Sequence, residues 1–298
     1  MKVFLSAGRE GQKLMKKLLR KVVRWYGCRV PWHRGKGRLI YFVGPRLINE
    51  GEVETITTPC GLQMSLELDE YVEQRIYYWG WYELYLARWV ETHLEPSMVF
   101  FDLGAHVGQY TLLAAYKVGR SGQVHAFEPL KANFQSLVKN VQLNGLQNAT
   151  LNNVAVSDYN GSAALYVEQG KNRGNVSIAE KTAGHRRLDT CKVIRLDDYF
   201  ADLKLERVDM IKMNIEGAEW KALMGATEIV RHYRPTLILE VGSDCYAFGY
   251  TRAEMVRWLE GFGYRFFLLD QIWTGHLQKL DDLGSFKESW EMLLCIQK

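Results

Sequence analysis

The chain has no run of about 18 consecutive apolar residues, the length a helix needs to cross a bilayer, so no membrane-spanning segment is expected. Its start lacks the apolar core of a secretory signal, and export is not expected. The five cysteines, Cys28, Cys60, Cys191, Cys245 and Cys295, are odd in number, widely spaced and include no C-x-x-C pair. That argues against a disulfide framework and a structural zinc site, and fits a reducing, cytoplasmic setting. Internal repeats and low-complexity tracts are also missing. What remains is a chain of 298 residues, 47% hydrophobic, long enough for one large core or one core with a subdomain.

Acidic residues are nearly absent from the first 38 positions, which carry 12 Lys or Arg against Glu10 alone, a net +11. The rest of the chain totals −7, so a basic arm precedes an acidic body. The acidity of the body speaks against nucleic acid as a partner. Within the arm, Leu14, Met15, Leu18, Leu19, Val22 and Val23 repeat at the spacing of one helix face. Lys13, Lys16, Lys17, Arg20, Lys21 and Arg24 cover the other. Two readings follow. The apolar face packs on the body, the commoner fate of such stripes and the expectation here, or residues 10–26 lie on an anionic membrane surface.

Residues 39–66 read as short strands broken by Gly and Pro. An aromatic cluster follows: Tyr71, Tyr77, Tyr78, Trp79, Trp81, Tyr82, Tyr85 and Trp89, helical from Glu83 onward and expected mainly in the core. From residue 98 apolar strands alternate with helical runs, the signature of a parallel sheet with helices on both faces. Expected strands are 149–156, 210–214 and 236–241, with an antiparallel pair at 264–269 and 292–297. Expected helices are 130–143, stopped by Gly145, a run to Val230, and one opened by a Thr251/Glu254 capping box. Residues 168–190, polar and rich in Gly and Asn, read as a mobile insertion. The division expected is a basic arm at 1–38, a cap subdomain at 39–95 and an α/β domain at 96–298.

The most informative stretch is VFFDLGAHVGQYTLLAA, Val99 to Ala115, followed by VHAFEP, Val124 to Pro129. A strand ends in Asp102, a glycine turn follows, a helix begins at once, and a second strand ends in Glu128. Open α/β sheets bind the adenosine half of a cofactor this way, at the carboxyl ends of their strands. A dinucleotide fingerprint needs G-x-G-x-x-G, but His106 replaces its middle glycine, so a pyrophosphate would meet a side chain. The pattern D-x-G-x-x-x-G suits instead a ligand with an amino acid end, S-adenosylmethionine. Asp102 would face its ammonium group and the loop amides its carboxylate, with Gly104, Ala105, His106 and Gly108 beside the cofactor. Glu128, beside Pro129, would accept from the ribose diol, and Asp158 would approach the adenine amino group.

With these blocks laid out, residues 80–297 resemble the FkbM family of S-adenosylmethionine-dependent methyltransferases. The resemblance rests on Gly80-Trp81-Tyr82-Glu83, FDLGAHVGQYTLLAA, AFEP, LNNVAVSDYNG, GNVS at Gly174–Ser177, VIRLDDYF, VDMIKMNIEGAE and RPTLILEV. It implies a Rossmann-like sheet of seven mostly parallel strands with an antiparallel last strand, and methyl transfer to oxygen on sugars or natural products. A small-molecule, sugar or lipid-linked acceptor is the implied partner. Two positions depart from the family pattern: His106, often Asn, and Asn214, usually Asp. Candidate bases are Glu216, the preferred one, Glu240, Asp244 and His106. Glu83 would close over the cofactor, and Asn214 would border it. No metal site is expected, although Asn214, Glu216 and Glu240 lie on adjacent strands. Competing functions are a nucleic-acid methyltransferase, a non-catalytic module that kept the fold, suggested by Asn214, and an NAD-dependent oxidoreductase, disfavoured by His106.

Overall fold

A computed structural model describes residues 2–30, 34–168, 174–178, 185–270, 275–280 and 291–297. The chain divides into two compact units, 1–84 and 85–298.

The first unit contains α1 (Lys2–Arg29), α2 (Arg34–Val43), the hairpin of β1 (Val53–Thr57) and β2 (Gln63–Glu67), and α3 (Tyr71–Trp79). The basic arm is thus one body with the residues that follow it. Its helix forms as expected, but with its faces exchanged. Arg20 is fully buried and pairs with Glu52 and Glu54. Leu14, Leu18, Val22 and Trp25 stand 57–62% exposed. Within the first unit, the expectation that the apolar stripe is the packed side is therefore overturned. The inward side is held by charge-assisted hydrogen bonds, roughly twice as strong as neutral ones. Residues 39–43 are helical rather than extended. Their β-branched and aromatic side chains favour strands, but burial of Ile40 within a helix begun at Arg34 overrides that weak preference. Of the aromatic cluster in this unit, Tyr77, Tyr78 and Trp81 are buried, and α3 carries most of it as a helix.

The second unit opens with α4 (Leu84–His93) and continues through β3 (Val99–Leu103), α5 (Gln109–Val118), β4 (Gln123–Phe127), α6 (Lys131–Leu143) and β5 (Ala149–Asn152). Next come β6 (Val154–Val156), β7 (Gly161–Glu168), β8 (Val176–Ser177), β9 (His185–Ile194), α7 (Leu196–Asp202) and β10 (Met210–Met213). It ends with α8 (Glu219–Met224), α9 (Thr227–Tyr233), β11 (Thr236–Val241), α10 (Arg252–Glu260), β12 (Tyr264–Leu269), β13 (Leu277–Lys279) and β14 (Glu291–Gln297). The main sheet has eight strands in the order β13-β12-β14-β11-β10-β3-β4-β5. From β11 to β5 the pairs are parallel, and β14 runs antiparallel between β11 and β12. The implied inserted last strand is present, and β13 adds an eighth strand at the edge.

Strands buried on both faces read as continuous apolar runs. Phe101, Leu103, Ile211, Met213, Leu237 and Leu239 pack with Leu196, Phe200, Leu223, Val230 and Leu259 in one core. Alternate residues of the strands, Asp102 and Lys212 among them, point to the opposite face.

Two expected elements are divided. The strand at 149–156 splits at Asn153, whose Nδ2 donates to the carbonyls of Glu128 and Pro129. β5 stays in the main sheet, while β6 joins a second sheet ordered β6-β9-β7-β8. The helix to Val230 breaks at Gly225. A Cβ there would lie 2.0 Å from the Ser157 carbonyl oxygen, and Asp197 accepts from the Glu228 and Ile229 amides to open α9. The expected insertion at 168–190 includes β8 and the first half of β9, while residues 169–173 and 179–184 lie outside the described ones. The Thr251/Glu254 capping box is present, with both reciprocal hydrogen bonds.

Candidate functional site

The sheet order reverses between β3 and β10. One connection from β3 leads to β4, while β10 and β11 extend the other way. Open α/β sheets place ligands in the crevice beyond such a switch point. Three strand ends meet the crevice with chemistry: the loop Gly104–Gly108 after β3, Glu128 after β4, and the turn Asn214–Gly217 after β10.

The loop is held tightly to its neighbours. Asn214 donates its amide to the Leu103 carbonyl at 3.1 Å. Gly104 has φ 75°, and a Cβ there would lie 1.9 Å from the Asn214 carbonyl oxygen. The glycine is therefore required by the close approach of the Asn214 backbone after β10. The amides of Gly104 and Ala105 both donate to the Phe127 carbonyl, that of His106 to Glu128 Oε2 at 2.8 Å, and that of Gly108 to the Ala105 carbonyl. The expectation that the loop amides receive a carboxylate is thus corrected for Gly104, Ala105, His106 and Gly108: each closes the loop on itself, on β4 or on Glu128.

Asp102 is fully enclosed. Its Oδ2 accepts from Thr111 Oγ1 at 2.7 Å, and its Oδ1 lies 3.3 Å from Lys212 Nζ. Lys212 also donates to the Gly104 carbonyl at 3.0 Å and sits 5.2 Å from the centre of the Tyr110 ring. Asp102, expected to face an ammonium group, faces the ammonium of this chain's own lysine. Lys212 was passed over in the sequence. A lysine in the middle of the apolar strand MIKM was the signal, since a buried cation demands a partner.

Glu128 is 4% exposed. Its two oxygens accept from the amides of His106 and Leu130 (3.0 Å), joining the glycine loop to the start of α6. Burial pushes this carboxyl up to about 7, against the pull of the Leu130 and His106 amides. Asn133 Nδ2 also donates to Oε1, at 3.5 Å. Of the about four acceptor sites of an ionised carboxylate, the one left beyond these bonds is on Oε2. Pro129 follows directly, its carbonyl held by Asn153 at 3.1 Å.

After β10, Glu216 is half-buried and left-handed at φ 57°, as is His106 at φ 51° after β3. Left-handed backbone is uncommon for non-glycine residues and persists where surroundings hold it. Here Ser177 donates to the Glu216 carbonyl at 3.3 Å, and Tyr250 donates to the Gly217 carbonyl at 2.7 Å. Glu219, 2% exposed, accepts the Ile215 amide at 2.9 Å. Burial raises the Glu219 carboxyl to about 7, opposed by the Ile215 amide and reinforced by the charge of Glu216. Of these braces, Ser177 and Glu219 lay in blocks the sequence singled out, and Tyr250 did not.

The remaining expected residues are spread. Asp158 follows β6, pairs with Lys221 at 3.0 Å, and is held below the usual carboxylate range by that lysine, against a larger opposing effect of burial. Glu240 is half-buried on β11, on the sheet face that carries Asp102 and Lys212. The Asp244 side chain lies outside the described ones. Glu83, with φ 54°, belongs to the first unit and not to the one that carries the loop. Among the described residues no three His, Cys, Asp or Glu side chains are grouped to hold a metal ion.

Residues 102–266, from Asp102 into β12, match the model of the methyltransferase FkbM domain. The chain belongs to the FkbM methyltransferase domain family. The match begins on the aspartate at the end of β3 and takes in the glycine loop, Glu128, Asp158 and the β10 turn. Methyltransferase 1 of Beauveria bassiana is 28% identical over 142 residues, covering 42% of this chain and 56% of that protein. Methyltransferase sdnD of Sordaria araneosa is 29% identical over 163 residues, covering 45% of this chain and 62% of that protein. The chain thus spans just over half the length of these relatives. A crystal structure of methyltransferase FkbM from Methylobacillus flagellatus KT is similar over 70% of this chain and 50% of that one, with 14% identity and a TM-score of 0.44.

Proposed function

We propose that this FkbM-family chain is an S-adenosylmethionine-dependent methyltransferase that methylates a hydroxyl of a sugar, glycan or other natural product, lipid-linked acceptors included. The observation that carries the reading is Glu128: a buried carboxylate at the end of β4, bonded to the glycine-loop amide of His106, beside the switch-point crevice. The acceptor site left on Oε2 suits a ribose hydroxyl. Asp158, after β6 and paired with Lys221, suits an adenine amino group. The donor set fits the adenosine half of the cofactor. At the methionine end Asp102 and the amides of Gly104, Ala105, His106 and Gly108 are engaged within the protein, and we assign that end to side chains such as His106 and Asn214.

Bound here, the cofactor supplies a methyl group made electrophilic by a sulfonium. The protein's task is to align an acceptor oxygen in line with that methyl and to take its proton. Alignment of this kind removes several kcal/mol of barrier, on the order of 7 or more in the best intramolecular cases. Glu216 is the group we assign to the proton. It stands at the carboxyl end of the strand beside the glycine loop, on a turn braced by Ser177, Tyr250 and Glu219. Asn214 keeps a hydrogen-bonding side chain at the strand end without a charge, so Glu216 is the first carboxylate after β10.

The test is single-turnover transfer of labelled methyl from S-adenosylmethionine to a panel of glycans and hydroxylated natural products. Glu216→Gln keeps the size and removes the basicity, and should slow transfer by ~10²–10⁴-fold with cofactor affinity within about twofold of the parent. An unchanged rate would move the proton to Glu240, Asp244 or His106. Failure of every acceptor, with the cofactor bound, would favour the non-catalytic module.

A further inference from the structure

α1 is fastened to its unit by the side that its sequence marks as polar. Arg20 pairs with Glu52 at 2.5 Å and with Glu54. Arg24 donates to the carbonyls of Tyr77 and Thr57 (2.9 Å for the latter), and its guanidinium stands 5.0 Å from the centre of the Tyr77 ring. A Cβ on Gly27 would lie 2.0 Å from the Tyr78 carbonyl oxygen, so the helix touches α3 backbone there. Residues 20, 24 and 27 follow one another at helical spacing and define the inward line.

Leu14, Leu18, Val22 and Trp25 follow the same spacing on the other side, with Met15 and Leu19 beside them, and all six are 50–62% exposed. In the same unit α2 exposes Leu39, Tyr41 and Phe42 at 44–61%. Single exposed apolar residues are ordinary, but an unbroken stripe over three helical turns marks an interaction surface.

We propose that this face docks onto an anionic lipid bilayer, with α1 lying in the plane of the headgroups. The charge pattern selects that occupant. Lys13, Lys16 and Lys21 are exposed. Lys21 stands one turn from both Leu18 and Trp25, and Lys16 one turn from Leu19, so cations border the stripe on each side. Apolar side chains entering the acyl boundary beneath lysines that meet phosphates is the arrangement an interfacial helix uses, and aromatic residues favour the same depth. A second copy of this chain is the wrong occupant, since it would bring two segments of net +11 together. No described helix is long and apolar enough to cross the membrane, so the contact is with its surface.

The test is sedimentation of the full 298-residue chain with extruded vesicles, either pure phosphatidylcholine or phosphatidylcholine mixed with phosphatidylglycerol. The parent should bind the mixed vesicles at least about tenfold more tightly than the neutral ones, and high salt should weaken that binding. Leu18→Glu with Val22→Glu should lower binding to mixed vesicles about tenfold or more while thermal midpoint and cofactor affinity stay at parent values. Lys16→Glu with Lys21→Glu should do the same. Three results would each overturn the proposal: no binding by the parent, full binding by the Leu18/Val22 variant, or a parent dimer in solution that this variant converts to monomer.

Discussion

Lys212 on β10 and Asp102 on β3 occupy registered positions on neighbouring strands, and their charged groups meet at 3.3 Å with both side chains enclosed. The pair ties together the two strands at which the sheet order reverses, and through the Gly104 carbonyl it also ties down the glycine loop.

Breaking such a pair leaves an uncompensated buried charge. Lys212→Met and Asp102→Asn should each lower stability by about 3–5 kcal/mol, whereas the double variant should recover most of that loss. Urea unfolding of the four proteins measures it as a double-mutant cycle, and additive losses would show that the two residues act independently.

Gly104 and Gly108 are both left-handed, at φ 75° and 97°, but they differ in what surrounds them. An alanine methyl at 104 meets the Asn214 carbonyl at 1.9 Å, a backbone atom that cannot move without β10. At 108 it meets Leu137 Cδ1 at 2.6 Å, the far end of a side chain that can rotate. Gly104→Ala should therefore be the more destabilising by thermal melting, beyond the ~1–2 kcal/mol of left-handed strain that both share. Equal losses would place the constraint in the backbone conformation alone.

Glu219 gives a pH signature. Its folded carboxyl is raised to about 7 from an ordinary 4.5 by burial, so the folded state holds its proton more tightly than the unfolded state. The stabilisation is complete below about pH 4.5 and is lost as pH rises through about 7. Glu219→Gln mimics the protonated form and still accepts the Ile215 amide. Its stability relative to the parent should rise between pH 5 and 8 by up to about 3 kcal/mol. Urea unfolding across that range checks it, and a flat difference would show that Glu219 stays ionised in the fold.

Much of the second unit was legible because its elements carry local signals. The glycine turn after Asp102, the capping box at Thr251 and the apolar runs of β3, β4 and β11 announce themselves without tertiary information. What was missed depends on distant groups. Nothing within residues 149–156 says that Asn153 will be drawn to the Glu128 and Pro129 carbonyls and divide the strand. The outward turn of α1 was hidden because its moment gives the direction of polarity, while Glu52, Glu54 and the Tyr77 carbonyl decide which side is bound. The glycine loop was visible as a loop, but its amides were assigned to a ligand when Phe127, Glu128 and Ala105 had already taken those of Gly104, Ala105, His106 and Gly108. That left Glu128 as the expected residue best placed for a ligand.

Calorimetric titration of S-adenosylmethionine into the purified chain and into Glu128→Ala tests the central claim most directly. The account predicts binding by the parent and a loss of about 1.5–3 kcal/mol in the variant, roughly 10- to 150-fold in affinity. Equal affinity in the two proteins, or tighter binding of NAD than of S-adenosylmethionine by the parent, would contradict it.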